Sequence, residues 1–268
     1  MSARSNRRAW LSGAASAAML LAASAASAQP AASSAAANAA RDPRAAAVVE
    51  RMAETLVAAQ ALRVEGDIAW DVVQADGQTL EFGATRELVL RRPDRLRADL
   101  VLREGGERRL FYDGRQVVLH DPVHGVYAAI ERSGPVGEVA AFVAERLGIP
   151  IALAELLSPD LAALLSEKID AAHYVATETL DGVACDHVAL RGAAGGMQLW
   201  VGTKDALPRR ISITYEHEEG RPQFRARFAD WDLSPRVPDA TFVFDPPAGA
   251  EKIAFAVHGA PAPKEGPR

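Results

Sequence analysis

From Leu62 onward the hydrophobic pattern has a period of two, broken at short intervals by turns, and few folds accept such a pattern. Ile68, Trp70 and Val72 alternate with Ala69, Asp71 and Val73. Gln74-Ala75-Asp76-Gly77-Gln78 turns the chain, and Leu80, Phe82, Leu88 and Leu90 carry the return strand. Leu96, Ala98, Leu100 and Leu102 share one face of the next strand, with Arg97 and Asp99 on the other. Leu110 and Tyr112 precede the Asp113-Gly114 turn, and short strands follow at Val117 to His120 and Val126 to Ile130. Alternation returns at Val183 to Leu190, Met197 to Val201, Ile211 to Tyr215 and Phe224 to Trp231. Short Asp-Gly and Gly-rich turns join antiparallel neighbours, whereas parallel strands need long crossovers.

Two segments depart from this period. Asp42 is suited to cap a helix, Pro43 to open it, and Val48, Met52, Leu56 and Ala59 form one apolar face through about Ala61. Midway, Val139, Phe142, Val143 and Leu147 have helical spacing; Gly148-Ile149-Pro150 interrupts them, and Leu153, Leu156, Leu157, Leu161, Leu164 and Leu165 follow. The expected fold is α+β: one strongly curved antiparallel sheet, an incomplete barrel, wrapped over an N-terminal helix and a central helical lid at about 135–168. It occupies a single domain at 42–258. An Ala, Ser, Pro and Asn linker at 29–41 precedes it and a Pro-rich tail at 259–268 follows.

Residues 1–28 have the three parts of a secretion signal. Arg4, Arg7 and Arg8 form a basic start, an Ala-rich apolar stretch follows Trp10, and Ala26-Ser27-Ala28 is a cleavage site. Asn6-Arg7-Arg8 leaves both the general and the twin-arginine export routes open. The expected address is the periplasm, with no transmembrane segment in the mature chain. The net charge is −5, before the leader removes three arginines. Without a basic run this argues against nucleic acid or an anionic membrane surface as partner. Cys185 is the single cysteine, so the chain forms no internal disulfide; its alternating context makes it a buried strand residue.

No catalytic motif is present, neither G-x-S-x-G nor a P-loop. His120 and His124 flank Asp121, but Pro122 and a turn separate them. Asp186 and His187 are adjacent on a strand, so they face opposite ways and cannot form a dyad. His217-Glu218-Glu219-Gly220 reads as a hairpin tip, and Gly192 to Gly196 precedes a strand, which makes a poor phosphate cradle. We therefore expect no catalytic residue, no metal and no cofactor.

Three stretches carry a family resemblance. Arg91-Arg92-Pro93-Asp94-Arg95-Leu96-Arg97 resembles the K-R-P-N-x-F stretch of the LolA-type periplasmic lipoprotein carriers. Asp113 to Pro122 resembles their D-G-K-x-L-W-x-Y-N/D-P, with His120 at an aromatic position. Phe242-Val243-Phe244-Asp245-Pro246-Pro247-Ala248-Gly249-Ala250 resembles their closing F-x-F-x-P-P-x-G-V. Order and spacing agree over about residues 44–254. The chain is also similar to an uncharacterised family of predicted periplasmic proteins sharing that fold. The resemblance implies a half-barrel over helices, an apolar cavity that in the carriers holds the acyl chains of a lipoprotein, and a lid latched by the arginine matching Arg92.

A pocket for acyl chains needs shape and apolar area rather than chemistry. Its candidate lining is Trp70, Val72, Leu88, Leu90, Leu100, Leu110 and Tyr112 from the sheet, with Phe142, Val143, Leu147, Leu156 and Leu157 from the lid. The same residues would equally make a filled core. The functional expectation is a monomeric, non-enzymatic protein binding a lipid-like or acylated hydrophobic ligand. The competing reading is a regulatory or assembly module that binds another envelope protein, and an enzyme is a third.

Overall fold

The computed structural model describes residues 41–147, 158, 161–193 and 195–255. The expected leader, the expected linker up to residue 40, Leu156 and Leu157 of the expected lid, and everything beyond 255 lie outside the described residues.

Helix α1 spans Pro43–Ala58 and starts where the capping chemistry requires. Asp42 is extended, and its carboxylate accepts a hydrogen bond from the Arg44 amide at 2.8 Å. The helix stops at Ala59, earlier than the sequence pattern suggests, because Ala61 already belongs to the first strand. Strands β1 Ala61–Val73, β2 Thr79–Arg91, β3 Arg95–Leu102, β4 Glu107–Tyr112, β5 Gln116–Asp121 and β6 Val126–Glu131 form one meander. The lid contributes α2, Val136–Leu147, and α3, Leu161–Lys168. A second meander follows: β7 Ile169–Leu180, β8 Val183–Gly192, β9 Gly195–Gly202, β10 Pro208–Thr214 and β11 Gln223–Asp232. A 3-10 turn at Asp239–Phe242 leads to β12, Glu251–Ile253.

The strands form one sheet in the order β12-β6-β5-β4-β3-β2-β1-β11-β10-β9-β8-β7. It is curved and open, not closed into a barrel. β1 joins the two meanders by pairing with β2 on one side and β11 on the other. Every neighbouring pair is antiparallel except β12 with β6, so the sheet is mixed at that edge. The parallel pair is possible because the long return after β11 brings the chain back along β6.

Both lid and N-terminal helices stand on one face, here called inner. Registry shows this directly: Leu102, Ala84, Ile68, Ala226, Ile211, Leu199, Val188 and Tyr174 are consecutive partners from β3 to β7. Over the first meander α2 inserts Val136, Val139, Ala140 and Val143 among Leu62, Leu88, Leu90, Leu96, Leu110 and Tyr112. Over the second, α1 inserts Val48, Met52 and Leu56 among Val188, Leu190, Leu199 and Ile211, and Leu161 of α3 joins them. The lid helices therefore rest on different halves of the sheet. Removing these side chains from water supplies roughly 25 cal/mol per Å² of apolar area.

The outer face carries its own small apolar cover. Phe244 packs on Phe111, His120 and Tyr127 with ring centroids 5.0 to 5.4 Å apart. Phe242 is fully buried, and the Arg91 guanidinium lies over its ring. The closing segment is thus a strap bound by aromatic contacts and then by β12.

A candidate ligand trough on the inner face

Between the two helix-covered halves lies a third apolar cluster, centred where β1 meets β2 and β11. Its floor is Ala84, Ile68 and Ala226, side by side on adjacent strands and all buried. Two alanines beside an isoleucine make a shallow floor, and larger side chains rise around it. Trp70 is flanked by its cross-strand partners Phe82 and Phe224, and the rings of Trp70 and Phe82 stack at 6.3 Å. Leu102 pairs with Ala84 from β3, and Leu100 stands beside it along that strand. Phe228 closes the opposite end and packs on Trp231 at 5.6 Å. Trp70, Phe82, Leu100, Leu102, Phe224 and Phe228 all remain partly exposed. Among the described residues, no helix side chain joins this cluster.

The expected lining residues separate into three groups. Trp70 and Leu100 belong to the trough, and Val72 is half-buried farther along β1. Leu88, Leu90, Leu110, Tyr112 and Val143 are buried in the core beneath α2, with Phe142 packed at its margin and under the Arg132 guanidinium. Tyr112 satisfies its hydroxyl by donating to the Gly134 carbonyl at 2.5 Å. Leu147 ends α2, and its side chain lies outside the described residues, as do Leu156 and Leu157. Phe82, Leu102, Phe224 and Phe228 were missed. Alternation places each on an inner face, but the adjacency of β11 to β1 is long-range and has no local signal.

Arg92 acts as an arginine fork on the helix-end carbonyls of α1. Its Nε donates to the Ala59 carbonyl at 3.2 Å and a terminal nitrogen to the Leu56 carbonyl at 3.5 Å. These are the last carbonyls of α1, where a cation also meets the negative end of the helix dipole. β2 runs out beside the turn between α1 and β1, which brings Arg92 to the α1 terminus.

The polar residues flagged by their sequence positions have structural partners. Asp186 lies on the inner face, accepting from Tyr174 at 2.8 Å and from Arg51 of α1 at 3.2 Å. His187 lies on the outer face, stacked on Trp200 at 4.1 Å, with Nδ1 2.7 Å from Glu178. The Trp200 and His187 hydrogen bonds hold the Glu178 carboxyl below its usual range. Asp121 is buried and pairs with Arg108 and His124, both at 2.8 Å. Among the described residues, no group of three or more His, Cys, Asp or Glu converges as a metal site. Burial pushes the Cys185 thiol up, so it is a poor nucleophile. A polar cleft of about 630 Å³ opens beside Asp113, Arg115, Gln116, Glu131, Arg132 and Ser133, but its charged lining does not suit an alkyl chain.

Known proteins share features with this chain. LprF from Mycobacterium bovis aligns over 74% of this chain and 98% of its own, at 12% identity and a TM-score of 0.48. A LolA superfamily protein from Nitrosomonas europaea aligns over 75% and 97%, at 12% identity and 0.30. The Pseudomonas aeruginosa MucA/MucB complex contributes a chain aligned over 75% and 61%, at 16% identity and 0.41. No curated protein matches the sequence. Among the described residues, no helix is long and apolar enough to cross a membrane. A family model described as "Predicted periplasmic protein (DUF2092)" matches residues 45–256. That match covers most of the chain, which therefore belongs to this family of periplasmic proteins.

Proposed function

We propose that the inner-face trough binds the apolar chain of a lipid-like or acylated ligand, and that the protein acts by holding this ligand, without catalysis. One observation carries the reading: six large apolar side chains surround a floor of two alanines and Ile68, and all six stay partly exposed. A fold that needed them only for its core would bury them, as it does Leu90, Leu96 and Tyr112. Contiguous exposed apolar surface on the inside of a curved sheet marks a binding surface. Each methylene buried there contributes roughly 0.8 kcal/mol, so ten contribute about 8 kcal/mol before the entropic cost of association.

Titration with a fluorescent fatty acid tests this, alongside solvent extraction of the purified protein and mass spectrometry of the extract. Trp70→Glu and Leu100→Gln change half-exposed positions and should leave the circular dichroism spectrum unchanged. Each should weaken probe binding by about tenfold or more, the cost of a charge or amide placed against an alkyl chain. Unchanged binding in both folded variants would overturn the assignment, and so would a wild-type protein that takes up no probe.

A further inference from the structure

From the polar cleft at the end of the first meander we infer a second binding site, for a sugar that carries a carboxylate or a phosphate, with Arg115 and Arg132 holding the anionic group. The cleft shares no residue with the trough, so this site stands apart from the one proposed above. Its volume of about 630 Å³ lies within the range of small-molecule sites, roughly 300–1,000 Å³. It opens where the Asp113-Gly114 turn meets the segment between β6 and α2. The β5–β6 ladder continues one step past the pair Gln116 and Glu131, because the Arg132 amide donates to the Arg115 carbonyl at 2.9 Å. Arg115 and Arg132 are therefore directly opposite on one face, with Cα atoms about 5.5 Å apart.

Two like charges facing each other across a ladder are destabilising. Elsewhere on this meander arginines meet acids: Arg97 pairs with Asp99 at 2.7 Å, and Arg109 pairs with Glu107. Among the described residues, no carboxylate forms an ion pair with Arg115 or Arg132. Arg132 is half-buried, and its Nε is enclosed without a hydrogen-bond partner among the described residues. The Phe142 ring of α2 holds its guanidinium from one side at 4.9 Å, so the group is positioned in advance of a ligand. A guanidinium presents a planar fork that binds a carboxylate or a phosphate through two parallel hydrogen bonds. An anion between the two arginines also removes their repulsion. The rest of the lining indicates what carries the anion. Asp113 and Glu131 only accept hydrogen bonds, while Gln116 and Ser133 both donate and accept. One Asp113 oxygen takes the Arg115 and Gln116 amides, both at 2.9 Å, which leaves the other for a ligand donor. A bare anion would meet these carboxylates with like charge, whereas a sugar bearing the anion at one end offers them hydroxyl donors.

Isothermal titration calorimetry of the purified protein with glucuronate, glucose-6-phosphate, glucose and inorganic phosphate tests the assignment. The wild type should bind at least one charged sugar about tenfold more tightly than glucose and than inorganic phosphate, and the better of the two identifies the anion. Arg115→Met and Arg132→Met should each lose that preference. Arg115 is exposed and Arg132→Met keeps an apolar stem on Phe142, so both variants should retain the wild-type circular dichroism spectrum and the uptake of fluorescent fatty acid. If Arg132→Met fails to fold, Arg115→Met alone decides. A wild type that binds neither charged sugar, or binds glucose equally well, would overturn the site. A preference that survives in the folded arginine variants would overturn it too. Inorganic phosphate bound as tightly as glucose-6-phosphate would overturn the assignment of a sugar.

Discussion

Two single residues show how locally this fold is held. Asp42 accepts hydrogen bonds from the Arg44 amide at 2.8 Å and from the Tyr174 amide at 3.2 Å, so one carboxylate caps α1 and ties it to edge strand β7. Those backbone donors lower its pKa. Because the folded value lies below the unfolded one, its stabilisation is complete above the ordinary value of 3.8 and is lost as the pH falls through the folded value. Asp42→Ala should lower the melting temperature at neutral pH and flatten the dependence of stability on pH in the acid range, which thermal melts across pH 2 to 7 would measure. Tyr112 is the second case. Its ring is fully buried, and burial is the chief reason its phenol titrates above the usual value. Its hydroxyl holds the Gly134 carbonyl just ahead of α2. Tyr112→Phe should cost about 1 to 2 kcal/mol in urea unfolding by leaving that carbonyl unpaired, whereas Tyr112→Ala should cost about 3 to 5 kcal/mol by opening a cavity as well.

At the scale of elements, the closing segment is an independent device. It crosses the outer face, buries Phe242, seats Phe244 on three rings and ends by pairing β12 with β6. Phe242→Ala should destabilise the protein by about 3 to 5 kcal/mol in urea unfolding. A chain ending at residue 238 should bind a hydrophobic dye through the uncovered Phe111 and Val118, and a truncated chain that stays dye-negative would contradict the strap. The motif Phe242 to Ala250 was legible in the sequence, but the strand after it was not. Glu251, Lys252 and Ile253 are all exposed, and their conformation comes from β6 rather than from their own pattern. β7 was also silent, because its alanines and threonines give little alternation and it lies at the sheet edge, where one side needs no partner. The long strands β1 to β3 were readable because apolar and charged residues alternate there with few exceptions. Arg86 is one of those exceptions, and pattern reading passes over it for that reason.

For the whole molecule, the two halves of the sheet have separate helix-covered cores that share only marginal residues such as Phe228, Trp231 and Leu233. β1 and β11 therefore carry the junction between two meanders, and the trough lies on that junction. A ligand seated there would contact both halves and bind the folded chain alone, so occupancy should raise global stability by mass action. A ligand at a hundred times its dissociation constant adds about 2.7 kcal/mol. For a domain of this size each kcal/mol is worth about 2 to 4 °C. Extracting the purified protein with organic solvent should thus lower its melting temperature by about 5 to 10 °C, and adding hexadecanoate should restore it. Because the junction couples the halves, the shift should move a single transition rather than split it. Trp70→Glu should melt at the temperature of the extracted wild type and respond to neither treatment. A stripped wild-type protein that melts where the untreated one does, and gains nothing from added amphiphile, would mean that the junction is held by its own side chains and that the trough has no occupant.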